Sequence, residues 1–250
     1  MKDLNNDNYY ENNEYMSASQ FKDFKSCEAR ALAKYKGEWQ DKPTDALLIG
    51  SYVDAYFSGE LEKFKFEHPE ICLKNGELKA QFKQADKIIE RIKNDDYTMS
   101  LINGDKQVIL IGEINDVPFK IKMDYEHPDM IVDGKVMKDC NDIWIKGEGY
   151  IPFWKVYGYD TQMSIYQNIV AQNRGVLKEC KLQVATKEEA TDLRVFKFSQ
   201  ETLNAALEEV KNLAPRFHQI KQGFIKPIGC GTCEYCRSQK KLNIESEELI

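Results

Sequence analysis

Between Gln107 and Val136 the chain carries three short apolar runs that cannot all lie on helices. Gln107-Val-Ile-Leu-Ile-Gly-Glu113 is strand-like, Asn115-Asp116 has turn chemistry, and Val117-Pro-Phe-Lys-Ile-Lys-Met-Asp124 alternates apolar and polar with period two. Two such runs across an Asn-Asp turn predict a hairpin. Met130-Ile-Val-Asp-Gly-Lys-Val136 is a third strand. Three segments upstream have helical spacing, and downstream a helix, strands near 181–185 and 193–198, and a further helix follow. The fold expected is α/β (α+β), a single domain with helices on a sheet.

The helical segments can be placed in turn. Ser17 or Ser19 can cap a first helix running to about Gly37, with Phe21, Phe24, Ala31 and Leu32 as its apolar stripe. A second covers about Thr44 to Phe57, and a third Lys79 to Lys93, where Phe82, Ala85, Ile88, Ile89 and Ile92 share a face. A long amphipathic helix spans about Phe153 to Asn173, and a last one Gln200 to Gln222, where Pro215 can kink it. Residues 1–16 read as a loose leader rich in Asn, Asp, Glu and Tyr, residues 17–240 as the domain, and 241–250 as an acidic tail.

Charge narrows the partners. The chain of 250 residues has 35 Lys and Arg against 41 Asp and Glu, a net charge of −6. Bulk attraction to nucleic acid favours basic domains, so any such partner must be held by a local groove. No run of about 18 apolar residues predicts a membrane span. Met-Lys-Asp-Leu-Asn-Asn at the start has no apolar signal core, so a cytoplasmic location is expected.

The densest chemistry lies where the strands meet. Asp133 and Lys135 are two apart on one strand and leave the same face, and a short connection brings Asp124 beside them. Two close carboxylates call for a cation, and hard oxygen ligands suit Mg²⁺ or Mn²⁺. A lysine beside them can orient a water or offset charge on a phosphoryl oxygen, as metal-assisted phosphodiester hydrolysis requires. Solvated charges at strand ends are the competing explanation. On the next helix Gln162 and Tyr166 are four apart and share a face, and upstream Gly50-Ser-Tyr-Val-Asp54 sets another carboxylate on a helix.

The ordered series Gly-x-x-x-Asp54, Asp124, Asp133-Gly-Lys135, Gln162-x-x-x-Tyr166 resembles the RecB-like branch of the PD-(D/E)XK nuclease superfamily, nearest to phage-encoded RecE-type exonuclease-like proteins. The resemblance extends from about residue 17 to residue 240. It implies a nuclease core with a central mixed β-sheet flanked by helices, in which Asp124 and Asp133 hold a divalent metal and the Gly134 carbonyl is a further ligand. Lys135 would orient or activate the attacking water, and Gln162 and Tyr166 would support the site and contact the strand. Where the first motif of this branch commonly ends in His, this chain has Asp54, which can also ligate a hard metal. Glu113 is a possible accessory carboxylate, though an exposed charge before a turn explains it as well. The activity implied is a metal-dependent DNA exonuclease on linear double-stranded DNA in phage-type recombination, with a single-strand annealing or recombination protein and further copies of itself as partners. A catalytically silent DNA-binding or partner-binding module on the same fold is the alternative.

The cysteines form a second signal. Cys230-Gly-Thr-Cys233-Glu-Tyr-Cys236 offers three thiolates, one short of a four-coordinate shell, and Cys27 is the best candidate for the fourth. Seven cysteines in a reducing compartment argue against disulfides, and Cys72, Cys140 and Cys180 read as isolated thiols. Iron–sulfur members of the RecB-like branch use one upstream and three C-terminal cysteines, which implies a [4Fe–4S] cluster tying the chain ends together. Their second gap is longer than the two residues here, which keeps Zn²⁺ open. Among the aromatics, Trp144, Tyr150, Phe153, Trp154 and Tyr157 can be core or can stack on bases, and His127, next to Pro128, reads as a loop residue.

Overall fold

A computed structural model describes residues 4–6, 8–42 and 44–241. Helices α1 (Ala18–Ser26), α2 (Glu28–Tyr35), α3 (Asp45–Ser58), α4 (Leu61–Glu67), α5 (Lys83–Lys93) and α6 (Asp96–Ile102) precede the sheet. Strands β1 (Asp105–Ile114), β2 (Val117–Glu126) and β3 (Met130–Met137) follow, then the small pair β4 (Ile143–Ile145) and β5 (Gly149–Ile151). The chain continues through α7 (Phe153–Val156), α8 (Tyr159–Arg174), β6 (Glu179–Thr186), β7 (Leu193–Lys197), α9 (Gln200–Lys221) and α10 (Glu234–Ser238).

The expected Ser17 cap and the turn are present. Ser17 accepts the Gln20 N–H and starts α1; Thr44 also caps α3, accepting the Leu47 N–H. Asn115 and Asp116 both take left-handed φ, as a tight hairpin turn between β1 and β2 requires. The first helix, expected unbroken from Ser17 to Gly37, is divided at Cys27, whose extended backbone ends α1 and starts α2. The helix expected over 153–173 is divided at Gly158, which has φ 64°. The acidic tail at 242–250 lies outside the described residues.

The main sheet has the order β1-β2-β3-β6-β7. Pairing is antiparallel except between β3 and β6, whose parallel ladder runs from Met130↔Glu179 to Met137↔Thr186. The fold is therefore mixed α/β, a central five-stranded sheet with helices on both faces. One core lies under α1, α8 and α9, where Phe21, Phe119, Ile121, Ile165, Ile169 and Val210 are fully buried. The other lies under α3, α5 and α6 and takes Tyr52, Val53, Ile88 and Ile92 with Tyr125 and Val132 from the sheet. Burying both faces of its middle strands explains why β3 and β6 read as near-continuous apolar runs broken by a few polar residues.

Two further features position the site. Strands β2 and β3 pair only at Tyr125↔Val132 and Glu126↔Ile131 and then part. Beyond that point, Asp124 faces Asp133 across an open cleft. The N-terminal segment is also packed, contrary to its reading as a loose leader. Tyr9, Tyr15 and Met16 are buried, and Met16 bridges Phe119 as a short parallel pairing on β2. Its Asn residues supply local turns, with Asn5 and Asn8 side chains accepting each other's backbone N–H, while Tyr9, Tyr15 and Met16 anchor the segment.

Candidate active site and cysteine centre

Where β2 and β3 part, side chains replace the ladder. Asp124 Oδ2 accepts the Gly134 N–H at 2.9 Å, which fixes one acid against the backbone that carries the other. Asp133 is 2% exposed; its Oδ1 accepts Gln162 Nε2 at 2.7 Å, and its Oδ2 is in direct contact with the Lys135 ammonium. Lys135 Nζ also donates to the Gly134 carbonyl at 3.1 Å, so that oxygen, expected as a metal ligand, is engaged by the lysine here. Asp54 and Gly50, a turn apart on α3, line the same cavity as Gly134, Lys135 and Tyr125.

The charges are crowded. Burial, then the nearby Asp133 carboxylate, pushes Asp124 up to about 8, with Lys135 acting against the shift. Asp54 is also raised, first by loss of water around it, with Lys135 opposing and Asp133 reinforcing the effect. Burial disfavours the Lys135 ammonium, but Asp133 and Asp124 more than offset it and raise its pKa. Two close carboxyl groups, one of them raised by burial and by its neighbour, form a site in which a divalent cation would favour the ionised acids. The donor set, carboxylate oxygens only, fits Mg²⁺ or Mn²⁺. Asp54 faces the two acids from α3 without completing a compact ligand cluster among the described residues.

Helix α8 braces the acids. Gln162 Nε2 also donates to Tyr166 Oη at 3.3 Å, and Tyr166 Oη donates to the Lys122 carbonyl at 3.0 Å. Tyr166, expected to touch the strand, is buried with its hydroxyl spent on β2, so it supports the site from behind. Sequence reasoning missed Lys22, whose Nζ donates to Gln162 Oε1 at 3.1 Å and thereby fixes which end of the amide faces Asp133. Burial, then the charge of Lys135, lowers Lys22 to about 8. Tyr159 was missed as well; the Lys22 and Lys135 ammonium groups stand 5.5 and 5.9 Å from its ring centre. Gly158 permits this convergence, because a Cβ there would meet Lys22 Cδ at 2.8 Å. The sequence hint was a glycine directly before an aromatic and an acid at a helix start.

Other candidates fall outside. Glu113 is at the far end of the hairpin, where its backbone exchanges hydrogen bonds with Gln172. His127 turns the chain between β2 and β3, with its ring against the Leu101 carbonyl. Phe153 is core, whereas Trp144 and Tyr150 form an exposed edge-to-face pair on the β4–β5 hairpin.

The second centre is assembled by the ends of the domain. Cys27, Cys230, Cys233 and Cys236 place their sulfurs within 4.8 Å of one another. The Cys27–Cys236, Cys27–Cys233 and Cys230–Cys236 separations are 3.5, 3.9 and 4.0 Å. The break at Cys27 turns its side chain toward the C-terminal loop, and Glu28, the next residue, takes a bidentate ion pair from Arg216 and the Ile228 N–H. The Thr232 hydroxyl and the Cys233 N–H lower the Cys230 thiol to about 5. The Gly231 N–H favours the Cys236 thiolate, but burial and the neighbouring sulfurs push it up to about 11. Such crowding of thiolates is relieved by a bound cation.

Residues 17–239 match the PDDEXK-like domain of unknown function (DUF3799). The chain belongs to this family. The PDDEXK-like assignment also fits the parted strands with an acid on each and a lysine two residues after the second. A crystal structure of a "Putative exonuclease" from Eubacterium rectale is similar at 42% identity, with a TM-score of 0.92, covering 97% of this chain and 96% of that one. Among curated proteins none matches. Among the described residues no helix is long and apolar enough to cross a membrane.

Proposed function

We propose that this PDDEXK-like chain is a Mg²⁺- or Mn²⁺-dependent deoxyribonuclease of the RecB-like branch, a RecE-type exonuclease acting on linear double-stranded DNA. The observation that carries the reading is the convergence of Asp124, Asp133 and Lys135 at the point where β2 and β3 part. Asp124 and Asp133 would hold the cation, with Asp54 on the cleft rim. When bound, the cation would polarise the phosphoryl group and lower the pKa of water.

The chain's own residues account for the rest. Gln162 fixes the rotamer of Asp133, and Lys22 fixes the orientation of Gln162. Lys135 is poised to orient the attacking water and to offset negative charge as it grows on the phosphoryl oxygens. Tyr166 and the Asp124–Gly134 hydrogen bond hold the two strands at a constant separation, so the site needs little rearrangement to react. Phage-type recombination, with a strand-annealing partner and a ring of identical subunits, is the setting this reading suggests.

For the cysteine centre the geometry favours Zn²⁺ over the [4Fe–4S] cluster. Four thiolates around one zinc at about 2.3 Å stand about 3.8 Å apart. Three of the six sulfur pairs stand 3.5 to 4.0 Å apart and all lie within 4.8 Å, which fits a single central ion. Around a four-iron cluster each thiolate binds its own iron, so the sulfurs stand farther apart. A colourless protein purified without oxygen and carrying one zinc is the expected result; a brown protein with a broad visible band would restore the cluster.

The test of activity is digestion of end-labelled linear, circular and single-stranded DNA with and without Mg²⁺. Degradation of linear duplex alone, abolished by chelation, is expected. Tight DNA binding without any cleavage would instead favour a silent binding module.

A further inference from the structure

We propose that Tyr10, carried to the catalytic cleft by the N-terminal segment, is a stacking platform for the nucleobase next to the scissile phosphate; the inference rests on the nuclease reading above. Strand β2 sends Lys120, Lys122 and Asp124 to one face, two residues apart. The N-terminal segment pairs with the edge of β2 that β3 leaves free. The Met16 N–H donates to the Pro118 carbonyl at 2.8 Å, and the Lys120 N–H donates to the Met16 carbonyl at 2.9 Å. Lys120 Nζ donates to the carbonyls of Tyr9 and Asn12 and stands 4.5 Å from the Tyr9 ring centre. Lys122 Nζ stands 5.3 Å from the Tyr10 ring centre. The next residue on that face is the catalytic Asp124.

The two adjacent tyrosines are treated differently. Tyr9 is 7% exposed and serves as the anchor, whereas Tyr10 is 77% exposed and packs edge-on to it at 5.3 Å. A bare aromatic face fixed beside a phosphodiester site suits a base, since every base offers a π-face and stacking is tolerant of sequence. One ring is too small a surface to hold another protein, which would need far more buried area.

The experiment compares wild type, Tyr10→Ala and Tyr10→Phe. Cleavage is measured with Mg²⁺, and binding by fluorescence anisotropy with Ca²⁺. The substrates are linear duplexes and short single strands in which an abasic residue replaces successive terminal nucleotides. Tyr10→Ala should weaken binding and raise KM about tenfold, while Tyr10→Phe, which keeps the ring, stays within about twofold. One abasic position should weaken wild type yet cost Tyr10→Ala nothing more. Equal behaviour of wild type and Tyr10→Ala overturns the inference, and so does faster cleavage by Tyr10→Ala, which would make Tyr10 an obstructing lid. Ring-dependent binding without cleavage by wild type would sink the nuclease reading and leave the platform standing. Absence of both cleavage and binding would sink both.

Discussion

Asp124 has two partners whose demands conflict. Its Oδ2 takes the Gly134 N–H, which favours a carboxylate, while burial and Asp133 favour the neutral acid and raise it to about 8. The site is therefore costly to fold without a cation and gains stability when one binds. Asp124→Asn keeps the shape and removes the charge. Thermal melting with chelator should be higher for this variant than for wild type, and Mg²⁺ should no longer raise it. Lys135→Ala removes the group proposed to orient the attacking water, and cleavage should fall at least about 10²-fold. An undiminished rate would remove Lys135 from the mechanism. The residue identities at this centre were legible in the sequence because acids and a lysine two apart on one strand face the same way. Lys22, Tyr159 and Tyr10 were not, since each reaches the cleft from a distant segment through tertiary packing.

Elements whose burial pattern repeats at short range could be read from sequence. The hairpin, β3, α5 and α9 follow from period and capping. The breaks at Cys27 and Gly158 could not, because the apolar stripe continues across each and only the contacts of the next element interrupt the helix. Gly158→Ala would place a Cβ against Lys22 at a left-handed φ, with an expected loss of about 1–2 kcal/mol and a slower enzyme. The measurement is a denaturation midpoint beside a cleavage rate; an unchanged rate would detach Lys22 from catalysis. The N-terminal segment has its own signature. Burial lowers Lys120 to about 8, below the ordinary lysine value of about 10.4. Between those two values the unfolded chain holds a proton that the folded one has shed, so folding stability from this group rises with pH across that window. Wild type should gain stability relative to Lys120→Met as pH is raised from about 8 to about 10, and a pH-independent difference would contradict the packing described.

At the scale of the whole molecule, the net charge of −6 and the proposed nucleic-acid partner would be reconciled by location. Asp54, Asp124 and Asp133 sit where a bound cation would offset them, and Lys22, Lys122 and Lys135 lie around the same acids. Affinity for DNA should be weak without Mg²⁺ and fall steeply with salt. The cysteine centre works at the same scale, since it ties the first helices to the last loop and closes most of the chain into one loop. Stripping its metal should cost on the order of 3 kcal/mol, which lowers the melting temperature by roughly 6–12 °C, with Mg²⁺ unable to restore it. The central claim is that the parted strands form a cation-dependent phosphodiesterase. Titrating Mg²⁺ into the metal-free protein with end-labelled linear duplex DNA tests this most directly. Progressive shortening from the ends that saturates with Mg²⁺ and disappears in Asp133→Asn is the predicted result. Persistent cleavage in that variant, or an intact duplex at every Mg²⁺ concentration, would contradict it.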